Sequence, residues 1–521
     1  MSASPYTKEG LRAGVMHFLL GRGIAGLAGF LTIILLARHM NVQDYAGYTA
    51  LSGVIALVGI LAGFGLERAI SRYVPEGRLE RSARDLGRFI WLLSAIRVVA
   101  ALILCLLIYA GWHDLPRLFP DVTFKEFPLA LAGFILAETL FQHFSSVLQA
   151  LVMQKTLTRV MVVQWAGRLF LVFYFVWNQP TISLQNALWV MAIPETLGVI
   201  VFTFVVLGYL QQLRKEQPKS NETDFWPDWN GVVKMSMNNY GFTLLAAPPQ
   251  GYFMKMFAAI LLPTQLVAAY GFFINVAERL RQYIPLHLLY NLIEPVMIAN
   301  YLQDKNFKLL SDRSKLLYKS NLLLLIPVMI CVVAAGPEII GLLTAGKYQD
   351  YAWLLFLVIF QLTIGSHVVL LQLILNSVNA SRVLVHAGAW ALVVMAVVLS
   401  IVMQIDVRTL VIGPIVFSLT CNLYVIHVLN RMHYHYSFTW QLLSGVMAAG
   451  VSAAVLTYVS ILMLKAVTDH VLLQVILSGM VLVCSYTLGL VLLRVIQQHE
   501  VHLIKSFFNK KSGQKIHAAI Q

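Results

Sequence analysis

The sequence predicts an all-α polytopic membrane protein. About 14 transmembrane helices form two six-helix lobes related by an internal repeat, with two additional C-terminal helices. Three observations carry this. Of the 521 residues, 59% are hydrophobic and only 12% charged, whereas a soluble chain carries about 25% charge. The apolar runs have the length of spanning helices, and the roughly ten-residue alternation of a strand barrel is absent. Lys and Arg collect in every second loop.

The first lobe, residues 1–210, holds apolar segments at 11–37, 45–66, 87–110, 127–152, 157–177 and 185–210. The first run is too long for a signal-peptide core, and no small-residue cleavage site ends it. QQLRKEQPKSNETDFWPDWN, residues 211–230, is polar, charged and Pro-containing, and reads as a cytoplasmic linker. The second lobe, residues 231–435, holds segments at 231–261, 264–302, 309–335, 350–377, 380–404 and 408–430. Segments 439–465 and 470–495 lie in the C-terminal part, residues 436–521, ahead of a cytoplasmic tail. The run at 264–302 is long enough, at about 1.5 Å per residue, for its inner end to project into the cytoplasm.

Outside the span interiors, one set of loops holds 25 Lys and Arg and the alternate set 6. The asymmetry puts both termini in the cytoplasm and makes the net charge of +14 mostly a topology signal, with no nucleic-acid partner. Outer loops are short; the longest, Gly111 to Glu126, has no room for a catalytic domain, so an enzyme is not expected. Cys105, Cys331, Cys421 and Cys484 lie in apolar segments without CxxC spacing and read as packing residues. The histidines of RMHYHYSF read as solvated loop residues, and no metal or cofactor is expected. GRGIAG matches GxGxxG, but inside a span it reads as a small-residue packing face.

The turn ILLARHMNVQDYAGYTAL recurs 222 positions later as AILLPTQLVAAYGFFIN, with Gln43, Ala46 and Tyr48 falling on Gln265, Ala268 and Tyr270. Six spans separate the copies, so the repeat is parallel and both turns face outside. Such lobes suit a transporter with a midplane site between them.

LLARHMNVQDYAGY, followed by GFGLERAISRYVPEGR, resembles the start of Wzx-type polysaccharide flippases of the multidrug/oligosaccharidyl-lipid/polysaccharide (MOP) exporter superfamily. Leu36, Ala37, Arg38, Tyr45, Tyr48, Gly65, Leu66, Arg72, Tyr73 and Glu76 match the pattern; Asn41 and Val42 replace a Gly-Pro, and Ala46 replaces a Gly. The resemblance implies two helix bundles in a V, alternating access, a cavity lined by spans 1, 2, 7 and 8, and lipid-linked sugar cargo.

Seven basic residues remain inside spans: Arg22, Arg97, Arg168, Lys234, Lys255, Arg279 and Arg281. A central Arg or Lys facing lipid costs about 2.5–3.5 kcal/mol, so such positions favour a wet cavity or partner acids. Asn275, Glu278 and Gln282 share one face of span 8. Combined with the implied cavity, the expected substrate-binding set is Arg22, Lys255, Asn275, Glu278, Arg279, Arg281 and Gln282. Guanidinium and ammonium groups suit a pyrophosphate. Lys234 lies near a span end and can snorkel; each Arg has an alternative reading as a structural ion pair, with Glu278 or Glu294 for Arg279 and Arg281, and with Glu138 or Glu195 for Arg97 and Arg168. Glu138 and Glu195 are also candidate proton or sodium coupling sites. Pro248 and Pro249 break span 7 and form a candidate gate hinge.

The leading expectation is a flippase moving a polyprenyl-pyrophosphate-linked oligosaccharide across a bacterial inner membrane for polysaccharide or lipopolysaccharide synthesis. Its expected partners are that lipid-linked glycan, membrane lipid, and a polysaccharide polymerase with its chain-length machinery. The alternatives are a lipid II flippase, a MATE-type multidrug or cation antiporter, and a membrane polysaccharide polymerase.

Overall fold

The computed structural model describes residues 8–122, 124, 129–216, 227–378, 380–401, 407–436, 440–468, 470–495 and 500. Residues 217–226 of the expected linker, Lys125, and the tail beyond residue 500 lie outside them. The described residues form helices and turns, without a strand. They divide into two compact units, residues 1–279 with 403–410, and residues 280–402 with 411–521.

The first unit contains α1 (Lys8–His39), α2 (Val42–Gly63), α3 (Leu66–Glu80), α4 (Ala83–Ala110), α5 (Leu115–Leu118), α6 (Leu129–Ala150), α7 (Gln154–Asn178), α8 (Leu184–Glu216), α9 (Trp229–Ala246), α10 (Gly251–Leu261) and most of α11 (Thr264–Tyr283). One of the residues that depart from the family pattern in the first outer turn, Asn41, has a local role. Asn41 caps α2: its Oδ1 accepts from the Asp44 N–H at 2.6 Å and its Nδ2 donates to the Asp44 carboxylate at 2.7 Å. Ser82 caps α4 in the same way, through the N–H and carboxylate of Asp85.

The turn after α2 puts Phe64 and Gly65 in the left-handed region, at φ 46° and 66°. A Cβ on Gly65 would also lie 2.3 Å from the Ser236 carbonyl oxygen of α9, so both conformation and space demand glycine. Hydropathy places residues 67–86 between spans. The structure instead folds α3 there as an amphipathic helix, burying Leu66, Ala69, Ile70, Tyr73 and Val74 and exposing Arg68 and Arg72. That burial follows an i, i+3, i+4, i+7, i+8 pattern, which a search for long apolar runs passes over.

α10 packs closely on α2. A Cβ on Gly53 would come within 2.9 Å of the Tyr252 carbonyl oxygen and 3.0 Å of the Met256 nitrogen, so this approach of two backbones requires the glycine. α1 packs mainly on α7, and α6 on α8.

The second unit contains α12 (Pro285–Asp304), α13 (Phe307–Thr344), α14 (Ala352–Ser377), α15 (Arg382–Ile401), most of α16 (Val407–Arg431), α17 (Trp440–Val467) and α18 (Val471–Leu492). α13 bends at Ala335, φ −137°, between Pro327 and Pro337. α17 and α18 pack on each other and on α13. Val451, Val455, Leu462, Leu472, Met480 and Val483 remain exposed on them, as helices facing hydrocarbon require.

Twelve helices among the described residues are long and apolar enough to cross a membrane. The segments predicted as spans 7 and 8 are each interrupted. Pro248 and Pro249 separate α9 from α10. The expected uninterrupted helix over 264–302 is corrected: it breaks at Ile284, which is extended (φ −67°, ψ 131°) because the following Pro285 disfavours the helical conformation there. The 264–302 segment is thus two helices of 20 residues each rather than one projecting rod.

Candidate functional site

The first unit gathers charged side chains around Trp165 of α7. Ala25 and Ala28 of α1 pack against Trp165, and Gly29 is close enough that a Cβ there would lie 3.1 Å from the ring. Small residues on α1 thus fix the indole. Arg168, one turn further along α7, has its guanidinium carbon 4.2 Å from the ring centre, and Arg279 of α11 has its own at 3.8 Å. Arg168 is buried and pairs with the buried carboxylate of Glu195 on α8. Tyr48 of α2 is within electrostatic reach of Arg168, Arg279, Glu278 and Glu138.

Lys255 of α10 forms the second part. Its ammonium is buried and donates to Asn275 Oδ1 at 2.7 Å and to Glu278 Oε2 at 3.1 Å, both on α11. Asn275 in turn donates from Nδ2 to the Tyr45 hydroxyl of α2 at 3.3 Å. The i, i+3 spacing of Asn275 and Glu278 lets both reach one lysine. Leaving that ammonium buried and unpaired would cost several kcal/mol, roughly 3–5.

Of the expected binding residues, the structure therefore brings together Lys255, Asn275 and Glu278, and places Arg279 next along the helix against Trp165. Arg22 is half-buried on α1, one turn before Ala25 on the face that meets α7. Arg281 and Gln282 are exposed at the end of α11. Glu195 takes the ion-pair option with Arg168. Glu138 is half-buried and accepts from Gln142 Nε2 at 2.7 Å. Pro248 and Pro249 lie in the break between α9 and α10, six to seven residues before Lys255.

Two features escaped the sequence reading. Arg97 is fully buried and pairs with Glu67 at 3.1 Å, not with Glu138 or Glu195. Its partner sits in the first turn of α3, an amphipathic helix without a long apolar run. Trp165 carried no sequence signal beyond its spacing of three residues from Arg168. Arg168 and Lys255 each have a carboxylate partner in the unit.

Twelve long apolar helices among the described residues, two broken spans and a buried charged cluster define a helical multi-pass membrane protein. The chain belongs to the polysaccharide biosynthesis protein family, whose model matches residues 11–284. None of the curated proteins matches it in sequence. Among solved structures, the lipid II flippase MurJ in its inward closed conformation shares the fold over 92% of this chain and 98% of its own, with 13% identity and a TM-score of 0.66. The eukaryotic MATE transporter AtDTX14 does so over 81% of this chain and 96% of its own, with 14% identity and a TM-score of 0.51. An inward-facing multidrug resistance MATE family transporter of the MOP superfamily does so over 81% and 98%, with 13% identity and a TM-score of 0.50. At these identities the likeness is one of fold.

Proposed function

We propose that this protein flips a polyprenyl-pyrophosphate-linked oligosaccharide across a bacterial inner membrane by alternating access, with both termini cytoplasmic. Supply of a polysaccharide or lipopolysaccharide polymerase and its chain-length machinery follows from that role. The observation that carries the proposal is the gathering of Arg168, Arg279 and Lys255 on three helices of one unit. The Trp165 ring orients both guanidinium planes, Arg168 being held also by Glu195; guanidinium groups bind phosphate oxygens bidentately and Lys255 adds a point charge, a combination that suits phosphate groups.

The carboxylates fit the same cycle. Lys255 is held by Glu278 when no cargo is bound; a pyrophosphate displaces that carboxylate, and Glu278 reclaims the lysine as cargo leaves. The exchange keeps the ammonium paired throughout, so its desolvation is never uncompensated. Glu138 and Glu195 are the candidate groups through which a proton or sodium gradient would act. No covalent bond changes.

The test uses the purified protein in liposomes and reads the leaflet position of a fluorescent polyprenyl-pyrophosphate oligosaccharide. Protein-dependent movement of that lipid supports the proposal. Movement of lipid II alone replaces the cargo. Efflux of cationic dyes without lipid movement overturns the flippase reading.

A further inference from the structure

A second feature of the first unit lies outside the charged cluster. Leu61 and Phe64 at the end of α2, Tyr240 of α9, and Ile96, Val99 and Ile103 of α4 line an apolar cavity of about 640 Å³. That volume falls within the roughly 300–1,000 Å³ of small-molecule sites. The Phe64 and Tyr240 rings meet 5.8 Å apart at one of its walls. Its α4 wall is open: Ile96, Val99 and Ile103 are 38%, 54% and 53% exposed. An opening walled by apolar side chains of a helix long and apolar enough to cross a membrane suits a hydrocarbon chain.

The same exposed stripe of α4 continues toward the N-terminal end of the helix through Leu92 to Arg88 and Arg84, both exposed. Steps of four, four, four, three and four residues from Arg84 to Ile103 keep these side chains on one face. Arg88 stands about 12 Å below Ile96 along the axis. Arg84 and Arg88, one turn apart, have their Cβ atoms about 5–6 Å from each other. An apolar channel continued by two cations on one helix face is the pattern of an amphiphile with an anionic head. A paired arginine site gains more from the adjacent phosphates of a pyrophosphate than from one phosphodiester.

We propose that this α2–α4–α9 groove is a docking site for the transported lipid before it enters the charged cluster, with the polyprenyl tail along Ile96–Ile103 and the pyrophosphate at Arg84 and Arg88. The inference rests on the flippase reading for the identity of its occupant. It adds a tail-recognition surface on α4, a helix that carries none of the expected binding residues.

The test compares two cargoes of identical headgroup in liposomes of zwitterionic phospholipid, one with a long polyprenyl tail and one with two isoprene units. Ala95 and Ala100 form the small part of the groove wall. An Ala95→Trp, Ala100→Trp double variant should slow movement of the long-tailed cargo about tenfold and leave the short-tailed one unchanged. Equal effects on both tail lengths, large or small, overturn the proposal. Arg84→Gln with Arg88→Gln should raise the half-saturating concentration of the long-tailed cargo about tenfold, and no rise counts against the head site.

Photocrosslinking of the wild-type protein gives a readout that needs no variant. A diazirine on the long tail should label α4 between Ala95 and Leu104. Labelling confined to other helices, or labelling of α4 by a diazirine phosphatidylglycerol that cargo does not displace, overturns it. Absence of any flipping by the wild type would instead defeat the functional reading, while the crosslinking result would still decide the groove.

Discussion

Arg279 and Arg168 share one indole: their guanidinium carbons lie 3.8 Å and 4.2 Å from the centre of the Trp165 ring. The two cations come from α11 and α7, and the ring that receives them is braced by α1. Each desolvated cation–π contact is worth about 2 kcal/mol. Trp165→Leu should therefore leave insertion intact and lower the flipping rate in liposomes at least about tenfold, while Trp165→Phe retains a measurable part. Equal rates for wild type and Trp165→Leu would show that the ring does not position the arginines for transport.

The Arg168–Glu195 pair predicts a stability pattern distinct from a transport pattern. Both partners are buried, so removing one leaves a lone charge at a cost of about 3–5 kcal/mol. Glu195→Leu and Arg168→Leu should each lower the melting temperature in detergent markedly. The double Leu variant should recover most of the loss, because apolar replacement of a whole buried pair is near neutral. Additive losses in the double variant would show that the pair is not the coupled unit.

The loop charges carry a topological expectation. The turns at Gln43 and Gln265 should face the periplasm and Arg84 the cytoplasm. Cysteines introduced at these positions, in a background lacking the four native ones, should react with an impermeant maleimide from outside at the first two and only after permeabilisation at the third. Labelling of Arg84→Cys in intact cells would invert the model.

What the sequence disclosed and what it concealed divide by range. Apolar runs of spanning length are local, and so are the breaks: Pro248 and Pro249 end a helix wherever they fall. Pro285 is equally local, but hydropathy stays high across it; its effect on Ile284 is a backbone rule. The shared face of Asn275 and Glu278 follows from helical spacing, and both meet Lys255. Pairing across helices is different. Arg97 had carboxylates on α6 and α8 as candidates, yet its partner is Glu67, 30 residues earlier on an amphipathic helix that hydropathy hides. Nor could residue counts show that Arg168 and Lys255 arrive already paired, since charge balance within a cluster depends on which helices meet.

The Lys255–Glu278 contact makes opposing predictions for its two members. Lys255→Gln removes the point charge and should abolish transport while lowering stability through Glu278. Glu278→Gln removes the internal competitor and releases Lys255 toward cargo. It should lower the half-saturating concentration of lipid-linked oligosaccharide several-fold and slow turnover, because release then lacks the returning carboxylate. The shift corresponds to about 1 kcal/mol, the scale of one charge-assisted contact exchanged for another. A higher half-saturating concentration in Glu278→Gln would place the carboxylate among the cargo ligands.

The break between α9 and α10 supplies the last prediction. Ala247 through Gln250 interrupt the helix, and Lys255 begins its reach to α11 from the middle of the short helix that follows. Two prolines cannot donate backbone hydrogen bonds, so the interruption belongs to the sequence and does not depend on neighbouring contacts. Gly53 lets α10 lie directly against α2, which fixes one side of the joint while α9 continues on the other. α10, carrying Lys255 and held with α2, is joined to α9 by a non-helical link, so the two can tilt against each other without breaking an existing helix. Pro248→Ala with Pro249→Ala should let α9 and α10 fuse. Amide exchange at Ala247 and Gln250 should slow in the variant, insertion should be normal, and flipping should fall about tenfold. Slowed exchange with wild-type flipping would show that the break is a static bend, and unchanged exchange would show that Gln250 and Gly251 hold the helices apart without the prolines.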